Sequence, residues 1–484
     1  MQLQKRPQRL SKPPKTDNML FDRTIAAIST PPGKGGVAVI RISGADALSV
    51  AEKIFVPKGK IKVKELPARV QIYGNILYGT EEIDDGLITY FPSPNSYTGE
   101  DVAEISCHGG ILVTRCVLQA LLAAGAVLAE PGEFTKRAFV NGKLTLPEAE
   151  AIGLLLDAEG AGQMKLANVK SRDALRDNIQ KIHNELLGLM GSIFARIDYP
   201  EEDLGDFTDE QSLRILQKTE EEISKLIATY KTGSVIKDGI KVTICGSPNA
   251  GKSTLYNLLS GEESAIVTAI PGTTRDVLER TAHLGDILLR LCDTAGIREQ
   301  TDDPIEKIGI ERSRERIKDS SLILALFDAS DNSNSKDAEI IDFLNEVNNE
   351  KIAILTKTDI ATEESLERKE AILKAHFDNV IKISAKENGD EAKEALSKVV
   401  AGLFTDEKLT VGTDAIISSA NQYGILMRAW EAVRSAISCY ENGLTQDLAA
   451  SDVEAALIAI SELDGRGVCE EVVANIFSRF CVGK

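Results

Sequence analysis

The sequence predicts a multidomain α/β protein. An α/β domain is inserted into an all-α helical bundle, and an α+β domain precedes both. Three observations predict this. The apolar run Ile240 to Cys245 leads into Gly246-Ser247-Pro248-Asn249-Ala250-Gly251-Lys252-Ser253, and further apolar runs with polar loops follow it. Apolar residues at helical spacing lie on both sides of that region. From Phe21 to about residue 139, short strand-like runs alternate with turn residues instead.

The 484 residues suffice for about three domains of ~150 residues each. At 43% hydrophobic and 27% charged the chain reads as soluble and globular. It has no apolar run of the ~18 residues that a transmembrane helix needs, so no membrane is expected. The seven cysteines are scattered without a C-x-x-C pair, which points to reduced thiols in a cytoplasm and away from a zinc site. Four histidines are too few for a histidine-rich metal centre. A net charge of −18 repels nucleic acid on average, so any RNA contact must use a local basic patch or a basic partner.

Residues 1–20 are a possible patch, with Lys5, Arg6, Arg9, Lys12 and Lys15 against Asp17. Pro7, Pro13 and Pro14 prevent a helix, and the stretch reads as a flexible solvated extension. Residues 21–139 form the α+β domain. Val37 to Ile42, Val70 to Leu77 and Leu87 to Phe91 are strand candidates, with turns at Asp84-Asp85-Gly86 and Pro92-Ser93-Pro94-Asn95. Ile111 to Ala124 reads as a helix. Gly33-x-Gly35-x-x-Ala38 matches a dinucleotide fingerprint only superficially, because it precedes a strand.

Residues 140–236 are the first half of the helical domain. Pro147 suits a helix start, and Leu175, Ile179, Ile182, Leu186, Leu189 and Ile193 form an apolar stripe. Thr208 to Gln211 is a capping box ahead of Leu213, Leu216, Ile223 and Ile227. Residues 404–484 are the second half, where Leu426, Trp430, Val433, Ile437 and Tyr440 repeat the stripe and Val453 to Leu463 forms a further helix. Each half has a face to bury and no partner of its own, so one bundle built from both is the economical solution.

Residues 237–403 lie between the halves. A strand, then G-x-x-x-x-G-K-S, then a helix is a phosphate-binding P-loop. Its glycines let backbone N–H groups curl around an anion, Lys252 reaches terminal phosphates, and Ser253 offers a hydroxyl to Mg²⁺. Pro271-Gly272-Thr273-Thr274-Arg275-Asp276 is a switch-type segment, with Thr274 as the second hydroxyl for the metal. Asp293-Thr294-Ala295-Gly296 follows a strand-like run, so that Asp293 orients Mg²⁺ through water and the Gly296 N–H faces a γ-phosphate. Thr356-Lys357-Thr358-Asp359 is the base reader: the Asp359 carboxylate accepts two hydrogen bonds from guanine, which adenine cannot give. Ser384-Ala385-Lys386 supplies a backbone N–H to the guanine carbonyl. These five elements in this order specify a Ras-like P-loop GTPase domain. Asn249, Ala250, Thr254, Thr268, Ala269 and Ile270 complete the expected GTP contacts. Two departures matter. Thr356 replaces the usual Asn, which leaves guanine selectivity but alters affinity. Ile297 stands where Ras-like enzymes carry the Gln that positions water, so hydrolysis needs another device.

The chain ends Cys481-Val482-Gly483-Lys484. A terminal Cys-x-Gly-Lys after a split helical domain, with this GTPase inside, resembles the MnmE (TrmE) family of tRNA-modifying GTPases. So do Pro31-Pro32-Gly33-x-Gly35-Gly36-Val37, Arg41-Ile42-Ser43-Gly44, Pro94 to Asp101, His108-Gly109-Gly110 and Pro131-Gly132-Glu133-Phe134. The resemblance covers about residues 21–484.

The resemblance implies a cytoplasmic homodimer joined through the N-terminal domains. It implies a complex with a flavoprotein, MnmG (GidA), that modifies carbon 5 of the wobble uridine of certain tRNAs. FAD and NADH belong to that partner. A 5-formyl- or 5,10-methylene-tetrahydrofolate supplies the one-carbon unit and binds the N-terminal, folate-binding-type domain through Arg41, Glu104, Lys143 and Lys484. The residues leave open whether Arg41 and Glu104 take ligand or form a structural ion pair. Cys481 is either near the one-carbon unit or a buried structural cysteine. The resemblance also implies K⁺ held by Asn249, Thr268, Ile270 and Thr273, and Glu306 as the group that orients water; bracing of the loop is the other reading of Asn249. Glu306, Lys252, Arg275 and Cys481 are the candidate catalytic residues. The competing reading is an RNA-binding GTP switch in ribosome assembly, which should carry a basic KH-type module; a membrane-remodelling GTPase lacks any membrane signal.

Overall fold

The computed structural model describes residues 23–198, 208–260, 280–292, 317–331, 335–384, 389–463, 465, 477–478, 480 and 482–483. They fall into two compact units. One comprises residues 1–150 with 467–484, the other residues 151–466. The basic extension before residue 21 lies outside the described residues.

The first unit contains β1 (Ile25–Ile28), β2 (Val37–Ser43), α1 (Ala47–Ile54), β3 (Phe55–Pro57), β4 (Gln71–Tyr78), β5 (Glu81–Phe91), β6 (Val102–His108), α2 (Ile111–Ala123), β7 (Val127–Leu128) and α3 (Glu133–Val140). The strands form one sheet in the order β3-β4-β5-β6-β2-β1-β7. Side chains alternate along each strand. Ala38, Ile40 and Ile42 of β2 join Ala103, Ile105 and Cys107 of β6 in a core with Val50, Ile54, Val117 and Leu121 from α1 and α2. The intervening residues, Arg41 and Glu104 among them, fall on the other face.

One expected turn is corrected. Asp84-Asp85-Gly86 lies inside β5, and the β4–β5 connection is made at Gly79, whose φ is +63°. Gly86 serves the sheet instead: a Cβ there would lie 2.1 Å from the Ser106 carbonyl oxygen of β6. The Pro92–Asn95 turn is present, closed by the Asn95 N–H donating to the Pro92 carbonyl at 2.9 Å.

The chain's last residues belong to this unit. Phe477 is 1% exposed and packs against Phe139, Phe480 and Ala149. Val482 bridges to Pro131, and the Ser29 hydroxyl donates to the Gly483 carbonyl at 3.1 Å. Gly483 has φ +100°, and a Cβ there would strike the Ile28 carbonyl oxygen at 2.3 Å.

The second unit begins within α4 (Leu146–Leu156) and continues with α5 (Ala161–Leu166), α6 (Val169–Asp198), α7 (Asp209–Ala228), α8 (Tyr230–Asp238), β8 (Ile240–Gly246) and α9 (Lys252–Ser260). Then come β9 (Arg280–Leu284), β10 (Ile287–Leu291), β11 (Leu322–Asp328), α10 (Ser335–Asn345), β12 (Glu350–Thr356), α11 (Glu363–Lys374), β13 (Val380–Lys382), α12 (Gly389–Phe404), α13 (Ala420–Glu441) and α14 (Gln446–Leu463). The six-stranded sheet runs β13-β12-β11-β8-β10-β9, parallel except for β9 against β10. Helices cover both faces: Leu255, Leu396 and Val400 on one, Ile341, Leu344 and Leu373 on the other. Parallel strands covered on both faces need continuous apolar runs, and every residue of β11 is buried.

The two flanks share one core. Leu175, Ile179, Ile182, Leu186, Leu189 and Ile193 of α6 pack with Leu216 and Ile223 of α7, Leu426 and Val433 of α13, and Val453, Ala456 and Ile460 of α14. The α/β domain is therefore an insertion in a helical bundle. Trp430, Ile437 and Tyr440 lie at its margin, only partly buried. At the start of α7 the capping box is formed: the Gln211 N–H donates to the Thr208 hydroxyl, and the Thr208 N–H to the Gln211 side chain.

Leu186 is fully buried in this shared core. Leu186→Ala should destabilise the bundle by about 2–5 kcal/mol, through lost burial and the cavity left behind. Trp430 is the only tryptophan and sits on α13, so its fluorescence during urea unfolding reads the loss as a lower midpoint.

Candidate functional site

The nucleotide-type site begins where β8 gives way to α9. Gly246 has φ +151° and pairs with Leu326 of β11, and a Cβ would lie 2.5 Å from the Leu326 carbonyl oxygen. Asn249 (φ +64°) and Gly251 (φ +92°) turn the loop through the left-handed region. The Lys252 ammonium donates to the Gly246 carbonyl at 3.0 Å and the Ser247 carbonyl at 2.7 Å. Ser253 and Thr254 are exposed in the first turn of α9, and Asn249 is exposed on the loop. A curled backbone, an ammonium held at its mouth and a helix N-terminus suit a polyphosphate. The exposed Ser253 hydroxyl suits its metal ion.

The second half of the site comes from the ends of β11, β12 and β13. Thr356, the last residue of β12, is 5% exposed. Its hydroxyl donates to the Ala250 carbonyl at 2.8 Å and lies 3.2 Å from the Phe327 carbonyl. The residue that departs from the usual Asn thus ties the loop after β12 to the P-loop. Lys357, at φ +55°, pairs with Asp328 at 2.6 Å. Burial disfavours ionisation of Asp328, but hydrogen bonds from Lys357 and Ser330 outweigh it and hold the carboxyl below the usual carboxylate range. Asp359 is exposed and accepts a hydrogen bond from the Ser384 hydroxyl at 3.0 Å.

The described residues Asn249, Ala250, Gly251, Lys252, Ser253, Thr254, Thr356, Lys357, Asp359 and Ser384 therefore sit on loops, in the first turn of α9 or at the end of β12, at the carboxyl edge of the parallel strands β8, β12 and β13, where such sheets hold ligands. Thr268, Ala269, Ile270, Pro271, Gly272, Thr273, Thr274, Arg275, Asp293, Thr294, Ala295, Gly296, Glu306, Ala385 and Lys386 lie outside the described residues. Asp328 was not anticipated. Its signal was an apolar run, Leu322 to Phe327, that ends in an acid and directly pairs with β12.

In the first unit, β2 and β6 set Arg41 directly opposite Glu104. The Arg41 guanidinium donates to Glu104 Oε1 at 2.8 Å and lies 5.4 Å from the Tyr97 ring and 5.8 Å from the Phe134 ring. Both side chains keep about a fifth of their surface exposed (19% and 24%). The Lys143 ammonium donates to the Pro94 carbonyl at 3.0 Å, on the loop that carries Tyr97. The tail's Gly483 is held at Ser29, next to the β1 segment that pairs with Arg41. Cys481 and Lys484 lie outside the described residues. Sequence reasoning missed Arg137, which is fully buried and pairs with Glu100 and Glu133 beneath this face.

A family model described as the GTP-binding protein TrmE N-terminus matches residues 24–143, and one for the MnmE helical domain matches residues 146–481. The chain belongs to the MnmE family. Proteins named tRNA modification GTPase MnmE are similar over almost the whole chain. That of Thermoanaerobacter sp. is 38% identical over 468 residues, covering 96% of this chain and 100% of its own length. That of Clostridioides difficile is 36% identical with the same coverage, and that of Porphyromonas gingivalis is 38% identical over 95% of this chain and 98% of its own. As an MnmE family member this chain is a GTP hydrolase of a tRNA-modification class. No helix among the described residues is long and apolar enough to cross a membrane.

Thr356→Val keeps the shape of the side chain but removes the donor to Ala250. Leaving that carbonyl without its partner should cost about 1–2 kcal/mol, roughly 5- to 30-fold in GTP affinity. Titration with a fluorescent guanine nucleotide measures it; an unchanged affinity would remove Thr356 from the support of the P-loop.

Proposed function

We propose that this chain is a potassium-stimulated GTPase that acts with an MnmG-type flavoprotein on carbon 5 of the wobble uridine of certain tRNAs. The one-carbon unit comes from a tetrahydrofolate held by the N-terminal domain. The chain works as a cytoplasmic homodimer joined through those domains. The observation that carries the GTPase part is the tie from Thr356 to Ala250, which holds a base-reading loop against a phosphate-binding one.

In this reading the backbone N–H groups around Gly251 hold the phosphates, Lys252 neutralises them and Asp359 selects guanine. Ser253 and Thr274 hold Mg²⁺, and Asn249, Thr268, Ile270 and Thr273 hold K⁺. Bound Mg²⁺ and K⁺ supply positive charge where negative charge builds between the β- and γ-phosphates. Ile297 cannot orient water, and Glu306 takes that task. Arg275 of the switch segment is the remaining candidate catalytic residue.

The folate part rests on the partly exposed ion pair of Arg41 and Glu104 beside the Tyr97 ring. An ion pair at the edge of an aromatic surface suits a flat heterocycle with an N–H edge, because Glu104 accepts from that edge while Arg41 holds the carboxylate in place. Lys143 and Lys484 meet the anionic tail, and Cys481 lies near the one-carbon unit. Reconstitution with the flavoprotein, tRNA, GTP and a reduced folate tests the whole proposal. Mass spectrometry should find the modified wobble nucleoside only when all four are present.

GTP turnover should be faster in K⁺ than in Na⁺ at matched ionic strength. Equal rates would exclude a potassium-specific stimulation. Glu104→Ala should weaken binding of a reduced folate by about 1.5–3 kcal/mol, the worth of a charge-assisted hydrogen bond. Equilibrium dialysis reads it, with thermal unfolding as the control for the lost ion pair. If the unaltered chain takes up no folate at high micromolar ligand, the folate reading fails and the GTPase reading stands.

A further inference from the structure

Strand β5 breaks regular pairing with β4 at one place. Ile76 pairs with Asp84 while Leu77 pairs with Glu82, so Ile83 is an extra residue. Neighbouring residues of a regular strand point to opposite faces, but a bulge re-aims them. Asp84 and Asp85 both reach His108 at the end of β6: one ligand-type atom from each of the three lies within 4.8 Å of the others. The Asp84 carboxylate accepts the His108 N–H at 2.8 Å, and its other oxygen lies 2.7 Å from His108 Nδ1. Asp85 is oriented by the Tyr73 hydroxyl, which donates to it at 2.6 Å; Lys58 lies 3.2 Å from that hydroxyl.

A second observation points the same way. Asn75 stands directly opposite Asp85 in the β4–β5 register. Its amide nitrogen donates to Glu82 at 2.6 Å, which sets the side chain's orientation. Its Oδ1 is buried and has no hydrogen-bond partner. A buried acceptor oxygen is costly unless it meets a proton or a cation.

We propose that Asp84, Asp85 and His108 form a divalent-cation site, with Asn75 supplying a neutral oxygen. Two carboxylates, one imidazole and one amide oxygen are a donor set for a hard or borderline ion of the Mn²⁺ class. Thiolate takes no part, because Cys107 is 3% exposed in the core on the helix side of the sheet. Three or four protein donors leave positions open to water or a ligand. The site adjoins a cavity of about 700 Å³: Gly109 and Val37, the partner of His108 in the β2–β6 register, both line it. This site is separate from the Mg²⁺ and K⁺ of the nucleotide loops, which belong to the other unit.

Mn²⁺ titration of the full-length, nucleotide-free chain tests it, with free Mn²⁺ counted by its electron paramagnetic resonance signal. Without nucleotide, phosphate-bound metal does not enter the count. The unaltered chain should take up one Mn²⁺, and His108→Ala and Asp85→Asn should each bind about 10-fold more weakly or worse. Asp85→Asn leaves the Asp84–His108 contact in place, so it decides the matter even if His108→Ala folds poorly. A dissociation constant above about 1 mM for the unaltered chain, or equal affinity in Asp85→Asn, overturns the site.

Discussion

The shared burial of the α6 stripe is the constraint on which the second unit depends. Six apolar side chains on one helix face are each worth about 1.5–3 kcal/mol when fully buried. They find that burial only against residues more than two hundred positions away on α13 and α14, together with α7. The chain between must therefore leave the bundle and return to it. The α/β domain occupies that excursion and folds around a core of its own, built from β8, β10, β11 and β12. An insertion with its own core keeps the loops of the sheet free for chemistry while the bundle holds both of its ends.

Within the inserted domain the sheet does the positioning. Parallel pairing of β8, β11 and β12 brings the ends of all three strands to one edge. The P-loop, Asp328 and Thr356 then meet although they are far apart in sequence. A buried hydroxyl with a single proton joins two loops there, and a partly buried carboxylate holds Lys357 in a left-handed conformation that an isolated chain would disfavour. The site is thus stiffened from below, by groups that need not touch a nucleotide.

The N-terminal sheet divides its labour between faces. One face buries aliphatic side chains against two helices, and the other carries Arg41, Glu104 and the aromatic rings above them. Arg137 pairs with two carboxylates and has no exposed surface, so this side of the sheet is held by charge pairs together with a small apolar cluster of Ile25, Ala27, Ala129 and Phe134. The bulge at Ile83 interrupts the alternation of β5, and beside it Asp84 and Asp85 both approach His108.

The sequence by itself determined the class of each domain, because periodicity and loop chemistry are local. A 4,3,4,3,4 spacing reads as a helix face, and Gly246 to Ser253 after an apolar strand, with the further nucleotide-type motifs in order behind it, reads as a phosphate loop. It also marked Asp359 through its motif, and Arg41 and Glu104 through the family resemblance. It misplaced the turn at Asp84-Asp85-Gly86, since turn-forming residues in an irregular strand look the same as residues in a turn. It could not tell whether Arg41 and Glu104 pair, because 63 residues separate them and only the antiparallel register of β2 and β6 sets them opposite each other. The same holds for Thr356 with Ala250 and for His108 with Asp84. Such contacts are decided by which strands neighbour each other and in what register. That is a property of the whole buried core, in which each residue's place follows from side chains distant along the chain.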